Sequence, residues 1–423
     1  MENKIKPIKV YRLRYVFELR NGYTPSKKDL SYWSGGTIPW FRMEDIRKNG
    51  RILSDSIQHI TSKAVKGGGL FSANSFILAT TATIGEHALL IADSLANQQF
   101  TNLKVRKSLM DKFDMKFLFY YMYKIGEWCK NSVNTTCFSS VNIDELKSQM
   151  IPLFTLSDQK AIAEYLDKAT AEIDKAIAQQ QHMIDLLNER KQIIIQRAVT
   201  KGLDENVEMK DSGVEWIGDI PAHWQVKKLK YIANTNSGST PRNISGKGSP
   251  SSNIKWVRTT DLNNDIVTDT SEYLSKQEMA SASCPLLEPN TVLISMYGGS
   301  RSFGKIGILG IEATINQALC SISANDDILP KYLFYYLQSV NKIWMKFAAS
   351  SRKDPNLNQE IIRNIHIAYP QSKDEQDMVV GMLEKSIREV NNGISQYESL
   401  ISLLQERKQI IISEVVTGKI KVS

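Results

Sequence analysis

The chain has little of what metal and redox sites are built from. Its 423 residues include four cysteines and five histidines. Cys129, Cys137, Cys284 and Cys320 show no paired ligand spacing, and His59, His87, His182, His223 and His366 are scattered. Zinc modules and a disulfide framework are therefore excluded, and the cysteines read as buried thiols of a reducing compartment. No HExxH, GxSxG or helix-opening GxGxxG occurs, nor the Asn-Pro-Pro-aromatic tetrapeptide of amino-methyltransferases. No apolar run approaches the roughly 20 residues that span a bilayer, and the opening MENKIKPIKVYRLR lacks an apolar signal core. The expectation is a cytoplasmic chain that holds no metal and is not catalytic by itself.

One stretch imitates a nucleotide site. In GGSRSFGKI, Gly299 is followed, after four intervening residues, by Gly304-Lys305, the spacing of a phosphate-binding loop. Such a loop needs Ser or Thr after the lysine and a helix whose N-terminus meets the phosphates. Ile306 stands in the hydroxyl position, and IGILGIE beyond it reads as strand and turn. A nucleotide-dependent DNA enzyme is thus the alternative that the sequence disfavours.

What the chain does have is an internal repeat, the first thing to settle in any architecture. LLNERKQIII at 186–195 returns as LLQERKQIII at 403–412. LRYV at 13–16 answers LKYI at 229–232, Thr24-Pro25 answers Thr240-Pro241, and IPWFRMEDI at 38–46 answers IKWVRTTDL at 254–262. Asn97-Gln98 matches Asn316-Gln317, and KFLFYYM at 116–122 matches KYLFYYL at 331–337. The order of matching pieces never changes, while the loops between them differ in length, as insertions at a surface would produce.

Each half ends in a long periodic segment. Ile162, Ala169, Ala176, Met183 and Arg190 interleave with Leu166, Ile173, Gln180, Leu187 and Ile194 as a heptad seam. Val379, Ser386, Gly393, Leu400 and Arg407 with Leu383, Val390, Tyr397, Leu404 and Ile411 form its weaker counterpart. Ser157 and Asp158 sit where an N-cap is expected, and Gly202 and Gly418 where the helices should end. A helix of about 40 residues is roughly 60 Å long and cannot hide its seam inside one small globule. The other helix is its natural partner, in an antiparallel, pseudo-two-fold arrangement that lets one surface serve both.

The predicted fold is α+β. Residues 1–155 form one mixed globule, 156–202 a coiled-coil helix, 203–226 a linker, 227–372 a second globule and 373–423 a second helix. Lys plus Arg against Asp plus Glu is 22 to 13, 8 to 12, 16 to 12 and 7 to 8 over 1–155, 156–216, 217–372 and 373–423. The surplus of the +8 chain therefore lies in the globules, as expected if these meet a polyanion. Phe117, Tyr120 and Tyr121, like Tyr332, Tyr335 and Tyr336, stand at helical spacing and read as core in preference to a base-stacking platform. The Trp40, Arg42, Asp45 set and its twin Trp256, Arg258, Asp261 fit either a DNA face or a braced turn, Trp and Asp favouring the turn.

Together with the linker KDSGVEWIGDIPAHWQVKKLK, where Asp211, Ser212, Gly213, Glu215, Trp216, Ile217, Gly218, Ile220, Pro221 and Trp224 are the most specific residues, the whole plan resembles the specificity subunit of type I restriction-modification systems. The first half departs from it by opening at KVYRLRYV without the GVEWIGDIP stretch. The resemblance implies two target-recognition domains, each reading one half of an asymmetric bipartite double-stranded DNA site. It also implies helices that space the halves and bind two modification subunits, which hold S-adenosylmethionine and methylate adenine at N6. Two restriction subunits using ATP and magnesium can join, and the chain itself needs no cofactor. A non-catalytic coiled-coil scaffold with inert globules is the remaining alternative, and the basic globules disfavour it.

The candidate DNA-binding residues are loop cations: Lys27, Lys28, Arg42, Lys63 and Lys66 in the first half, and Arg242, Lys247, Arg258, Arg301, Arg352 and Lys353 in the second. Glu189, Arg190 and Lys191 with Glu406, Arg407 and Lys408 recur on otherwise less similar helices and are the candidate partner-binding positions. Half-sites one to two turns of DNA apart follow from the helix length if the coiled coil acts as a ruler.

Overall fold

A computed structural model describes residues 5–132, 140–241, 254–298, 302–348 and 356–422. Two compact units divide the chain, residues 1–181 with 398–423 and residues 182–397. Their boundaries fall inside the two long helices, so each globule carries a stretch of both.

The first unit contains β1 (Lys9–Arg12), α1 (Leu13–Val16), β2 (Phe17–Asn21), β3 (Ile38–Phe41), α2 (Met43–Asn49), β4 (Ile52–Leu53), β5 (His59–Ile60), β6 (Ser75–Ala79), β7 (His87–Leu90), β8 (Leu95–Ala96), β9 (Phe100–Val105), α3 (Met115–Ser132), α4 (Ile143–Ser148), β10 (Met150–Leu153) and the start of α5 (Leu156–Lys201). The second contains β11 (Met209–Asp211), β12 (Asp219–Pro221), β13 (Gln225–Lys228), β14 (Ala233–Ser237), β15 (Ile254–Val257), β16 (Ile266–Val267), β17 (Tyr273–Leu274), α6 (Lys276–Ser281), β18 (Val292–Ser295), β19 (Ile306–Leu309), β20 (Thr314–Ile315), β21 (Leu319–Ala324), α7 (Pro330–Ser339), α8 (Asn341–Ala348), α9 (Gln359–Asn364), β22 (His366–Tyr369) and the start of α10 (Lys373–Val416). The class is the expected α+β.

Three sheets of the first unit have twins in the second. The order β2-β9-β6-β7-β4 matches β14-β21-β18-β19-β16, β5-β3-β8 matches β17-β15-β20, and β1-β10 matches β13-β22. Every residue of β6 is buried, and its alternation divides the core. Phe76 and Leu78 join the cluster containing Phe117, Tyr120 and Tyr121, whereas Ile77 and Ala79 join Trp40, Phe41 and Phe100. In the second unit Val292 and Ile294 face Tyr332 and Tyr336, and Leu293 faces Val257 and Ile315. A strand covered on both faces needs apolar side chains at odd and even positions, which is why FILA in β6 and VLI in β18 are continuous apolar runs. The aromatic helices are core, and their hydroxyls are satisfied inside: Tyr121 donates to Met150 O at 2.6 Å and Tyr336 to His366 O at 3.2 Å.

The start of each long helix is locked to its globule by a buried glutamine. Gln159 donates to Lys112 O and Phe154 O, both at 2.9 Å, and accepts from the Asp114 N–H at 2.8 Å. Gln376 repeats this with Asp327 O at 3.0 Å, Pro370 O at 2.9 Å and the Leu329 N–H at 2.7 Å. The N-cap of α5 is Thr155, not Ser157 or Asp158: its hydroxyl accepts from the Asp158 N–H at 3.0 Å and donates to the Asp158 carboxylate at 2.7 Å. Gly202 and Gly418 follow the helices at φ +74° and +72°, the left-handed conformation that lets a helix end in a tight turn.

Within each unit the two helices pair antiparallel. In the first, Ile162 and Leu166 share a core with Ile412, Val415 and Val416, and Asp174 meets Lys408. In the second, Ile195, Ala198 and Val199 share a core with Val379, Val380 and Leu383, and Lys191 meets Asn391. The seam drifts from the heptad reading. Met183 is exposed and Ile184 buried, while Leu400 is exposed and Ile401 turns inward. A straight α-helix drifts about 20° per heptad against a strict seven-residue repeat, so three heptads accumulate about 60°, more than half of one residue's roughly 100°, and the inward position passes to the next residue. Arg190 and Arg407 accordingly face solvent, and Lys191 and Lys408 turn in.

Among the described residues the small sheet of the linker has no counterpart in the first unit. β11 pairs with β12, and Ile217, Ile220 and Trp224 enter the second core. The Trp224 indole donates to Glu375 Oε1 at 2.8 Å. Among the described residues no helix is long and apolar enough to cross a membrane.

Candidate nucleic-acid interface

In the first unit a set of basic loops converges beside β3. The Trp40 indole donates to Tyr23 O at 3.0 Å, and the Tyr23 hydroxyl donates to Ala64 O at 3.1 Å while accepting from the Lys66 N–H at 2.8 Å. The Thr61 N–H and hydroxyl hold Tyr32 O at 2.9 Å and Ser31 O at 2.8 Å. The loop with Lys27 and Lys28 therefore lies against the turn carrying Lys63 and Lys66, and all four side chains are exposed. The Lys66 ammonium sits 4.6 Å from the Tyr23 ring centroid, a cation–π contact that positions the charge without neutralising it. An edge of this kind attracts phosphate and carries donors for base edges.

Arg42 and Arg258 are held differently. Asp45 accepts the Arg42 N–H at 2.6 Å and the Ile57 N–H at 2.7 Å. Asp261 accepts the Arg258 N–H at 2.7 Å and the Ser271 hydroxyl at 3.1 Å. The guanidinium of Arg42 pairs with Glu44 at 2.6 Å, and that of Arg258 with Glu272 at 2.8 Å. Trp40 and Trp256 fill the core. Both sets brace a turn, and the arginines have much of their charge already engaged.

Sequence reasoning missed a second matching feature. Thr24 hydrogen-bonds Gln98, and Thr240 hydrogen-bonds Gln317. These pairs form because the chain passes close to the β8 and β20 ends. A Cβ on Gly22 would lie 2.4 Å from Ala96 O, and one on Gly238 would lie 2.3 Å from Ile315 O. The duplicated Thr-Pro and Asn-Gln motifs were the available signal. Arg20, also missed, donates to Gly68 O and lies 4.5 Å from the Phe71 ring; burial lowers its pKa from the usual guanidinium range.

Of the remaining candidates, Arg242, Lys247, Arg301, Arg352 and Lys353 lie outside the described residues, as do Gly299 of the phosphate-loop look-alike and Cys137. Lys305 leads directly into strand β19, so the helix such a loop requires does not follow it. Cys129, Cys284 and Cys320 are free buried thiols, and burial pushes Cys129 and Cys320 up to about 12. On the helices, Glu189, Arg190, Glu406 and Arg407 are exposed, whereas Lys191 and Lys408 are bonded across the helix pair.

The family model for the type I restriction modification DNA specificity domain matches this chain twice, over residues 5–181 and 221–397. The chain belongs to that family. Its two matched copies begin at equivalent points of the repeat and each ends within a long helix. The specificity subunit of the Escherichia coli type I restriction enzyme EcoprrI is 51% identical over 166 residues, which are 38% of this chain and 41% of that protein. The MjaIX specificity subunit of Methanocaldococcus jannaschii is 24% identical over 434 residues, covering 98% of this chain and 93% of that one. A solved chain from work on complex assembly and conformational transition of the type I R-M system superposes with a TM-score of 0.65 at 15% identity, over 99% of both chains. At that identity the specificity family shares the fold with this chain, and residue roles do not transfer.

Proposed function

We propose that this chain selects the DNA sequence on which a type I restriction-modification complex acts. Each unit reads one half of a bipartite, asymmetric double-stranded site. The observation that carries this is the duplicated frame with different loops: the twin sheets present β3 and β15 alike, while NGYTPSKKDLSYWSGG and NSGSTPRNISGKGSPSSN share little beyond Thr-Pro. Equal frames hold two readers in equivalent poses, and unequal loops give them different bases. Phosphate contacts come first from Lys27, Lys28, Lys63 and Lys66, with Arg242, Lys247, Arg301, Arg352 and Lys353 of the second half in the same role.

In this reading the chain is not an enzyme and holds no cofactor. Modification subunits, two per chain, bring S-adenosylmethionine and methylate adenine; restriction subunits, where they join, bring ATP and magnesium. The paired helices set the distance between half-sites and carry the modification subunits. Mapping methylated adenines in DNA from cells that express the chain with its modification subunit tests the reading. A gapped two-part motif is expected. A continuous motif, or no methylation, would overturn it, and exchange of residues 1–155 for another recognition domain should alter one half of the motif alone.

A further inference from the structure

The two units keep one surface contact in common where their loops otherwise differ. The Thr24 hydroxyl donates to Gln98 Oε1, and the Thr240 hydroxyl to Gln317 Oε1. Both glutamines are exposed, and each sits on a turn built the same way. The Asn97 N–H donates to Phe41 O at 3.0 Å and the Asn316 N–H to Val257 O at 3.1 Å, which ties the turns to the ends of β3 and β15. The two asparagine side chains accept the Gln99 N–H at 3.1 Å and the Ala318 N–H at 3.2 Å, bending the backbone around the glutamine between. On the facing segment Pro25 and Pro241 are buried, and each holds the threonine before it extended. Threonine thus occupies the carboxamide oxygen, and among the described residues neither carboxamide nitrogen has a partner. What each pair presents is a neutral group with two N–H donors. In the first unit it adjoins the lysine edge, because Tyr23, beside Thr24 in the chain, carries the Lys66 ammonium over its ring.

We propose that Gln98 and Gln317 each donate to one phosphate of the DNA backbone, as the sequence-independent contact that seats each unit on its half-site. The inference rests on the DNA-reading function proposed above and names a contact within it. Chemistry separates this role from base reading. A glutamine that reads adenine uses oxygen and nitrogen together, accepting from N6 and donating to N7, and here threonine holds the oxygen. A phosphate oxygen is an acceptor and is satisfied by a donor alone. The repeat points the same way. A base contact kept in both units would demand the same base in both half-sites, whereas a backbone contact persists while the loops around it diverge.

The test uses the full chain with its modification subunit and a duplex carrying the motif mapped by methylation, in which one phosphate at a time is made a neutral methylphosphonate. Gln98 lies on the surface, so Gln98→Ala should keep the fold, with an unchanged unfolding temperature as the check. It should bind the unmodified duplex about tenfold more weakly with every base of the motif unchanged. Its log–log salt slope should also stay the same, because a neutral donor, unlike a lysine, releases no counterion. Gln98→Glu should lose more, since a carboxylate repels phosphate. One methylphosphonate in one half-site should weaken the parent about tenfold and Gln98→Ala little further, and Gln317→Ala should behave alike at one position of the other half-site. A change of preferred base in either alanine variant would assign the glutamine to base reading and overturn the proposal. So would full affinity in both variants, or methylphosphonates that all cost the variants as much as the parent. A parent that bound its motif no better than a scrambled duplex would instead sink the DNA-reading function on which the proposal stands.

Discussion

Lys408 Nζ lies 2.6 Å from both carboxylate oxygens of Asp174, and Lys191 Nζ lies 3.1 Å from the Asn391 side-chain oxygen. The four residues are two copies of one contact, since 191 and 408 are equivalent, as are 174 and 391. The second copy has lost its counter-charge. Burial lowers the Lys191 pKa from 10.5, with Asp265 opposing it. Replacing Asn391 by Asp should therefore restore a charge pair and stabilise the second unit, by up to about 1 kcal/mol for a partly exposed site. Denaturant unfolding of Asn391→Asp against the parent measures this. A midpoint that failed to rise would mean that the lysine is already satisfied by Asp265.

Gln376 should be among the least replaceable polar residues of the second unit. It is fully buried and serves two backbone carbonyls and one backbone N–H. Gln376→Leu keeps the volume and abandons these partners, which should cost about 2–3 kcal/mol by the price of buried unpaired groups. Gln159→Leu should do the same to the first unit. Urea unfolding of the two variants checks both; a loss under half a kcal/mol, roughly the size of a neutral surface change, would show that water replaces the amide.

The first unit should weaken in mild acid. His87 is buried, its ring edge-on to Tyr123 at 4.5 Å, and burial, ahead of the nearby Arg51 charge, holds its pKa well below 6.5. Below pH 6.5 the unfolded chain takes up a proton that the folded one refuses. Stability is thus complete above that pH and falls as pH drops toward the folded pKa, by at most about 1.4 kcal/mol per pH unit. Thermal unfolding between pH 7 and 5 should show this slope, and His87→Phe should flatten it.

Binding and bracing cations should separate by salt. Lys63→Ala and Lys66→Ala are expected to weaken DNA binding alike on all sequences and to reduce the log–log salt slope by about one each. Arg258→Ala should instead lower stability, by up to about 1 kcal/mol for a partly exposed pair, since it removes contacts to Glu272 and Ser271. A reduced salt slope for Arg258→Ala without loss of stability would return it to the DNA face.

The repeat, the helices and the buried strands were legible because each is a periodic signal, and periodicity survives without coordinates. The Trp-x-Arg-x-x-Asp sets were legible as sets but ambiguous in role, because Asp45 as an acceptor of two N–H groups looks the same in sequence as Asp45 facing solvent. Gln159 and Gln376 were not legible, because a buried glutamine at the start of an amphipathic helix has the composition of a surface one. Met183 and Leu400 are exposed because a seven-residue repeat implies 3.5 residues per turn, whereas these helices follow 3.6. The converging loops of Lys27 and Lys63 depend on hydrogen bonds between segments 30 residues apart, which no local pattern announces.

The helix pair offers the most direct test of spacing. α5 has 46 residues and α10 has 44, and both pass from one compact unit to the other. Seven residues inserted at the Gln181–His182 step and seven at the Tyr397–Glu398 step would lengthen both helices by about 10 Å. They would leave the inward face about 20° short of whole turns, a mismatch the seam already tolerates. If the helices set the gap between half-sites, the unspecified spacer should grow by about three base pairs, at roughly 3.4 Å each. Both half-motifs should stay the same, because the loops that read them are untouched. Insertion in one helix alone should break the pairing of Lys408 with Asp174 or of Lys191 with Asn391, and methylation should fall with no new motif. A doubly lengthened chain that methylated the original site with the original gap would show that the distance is set by the modification subunits.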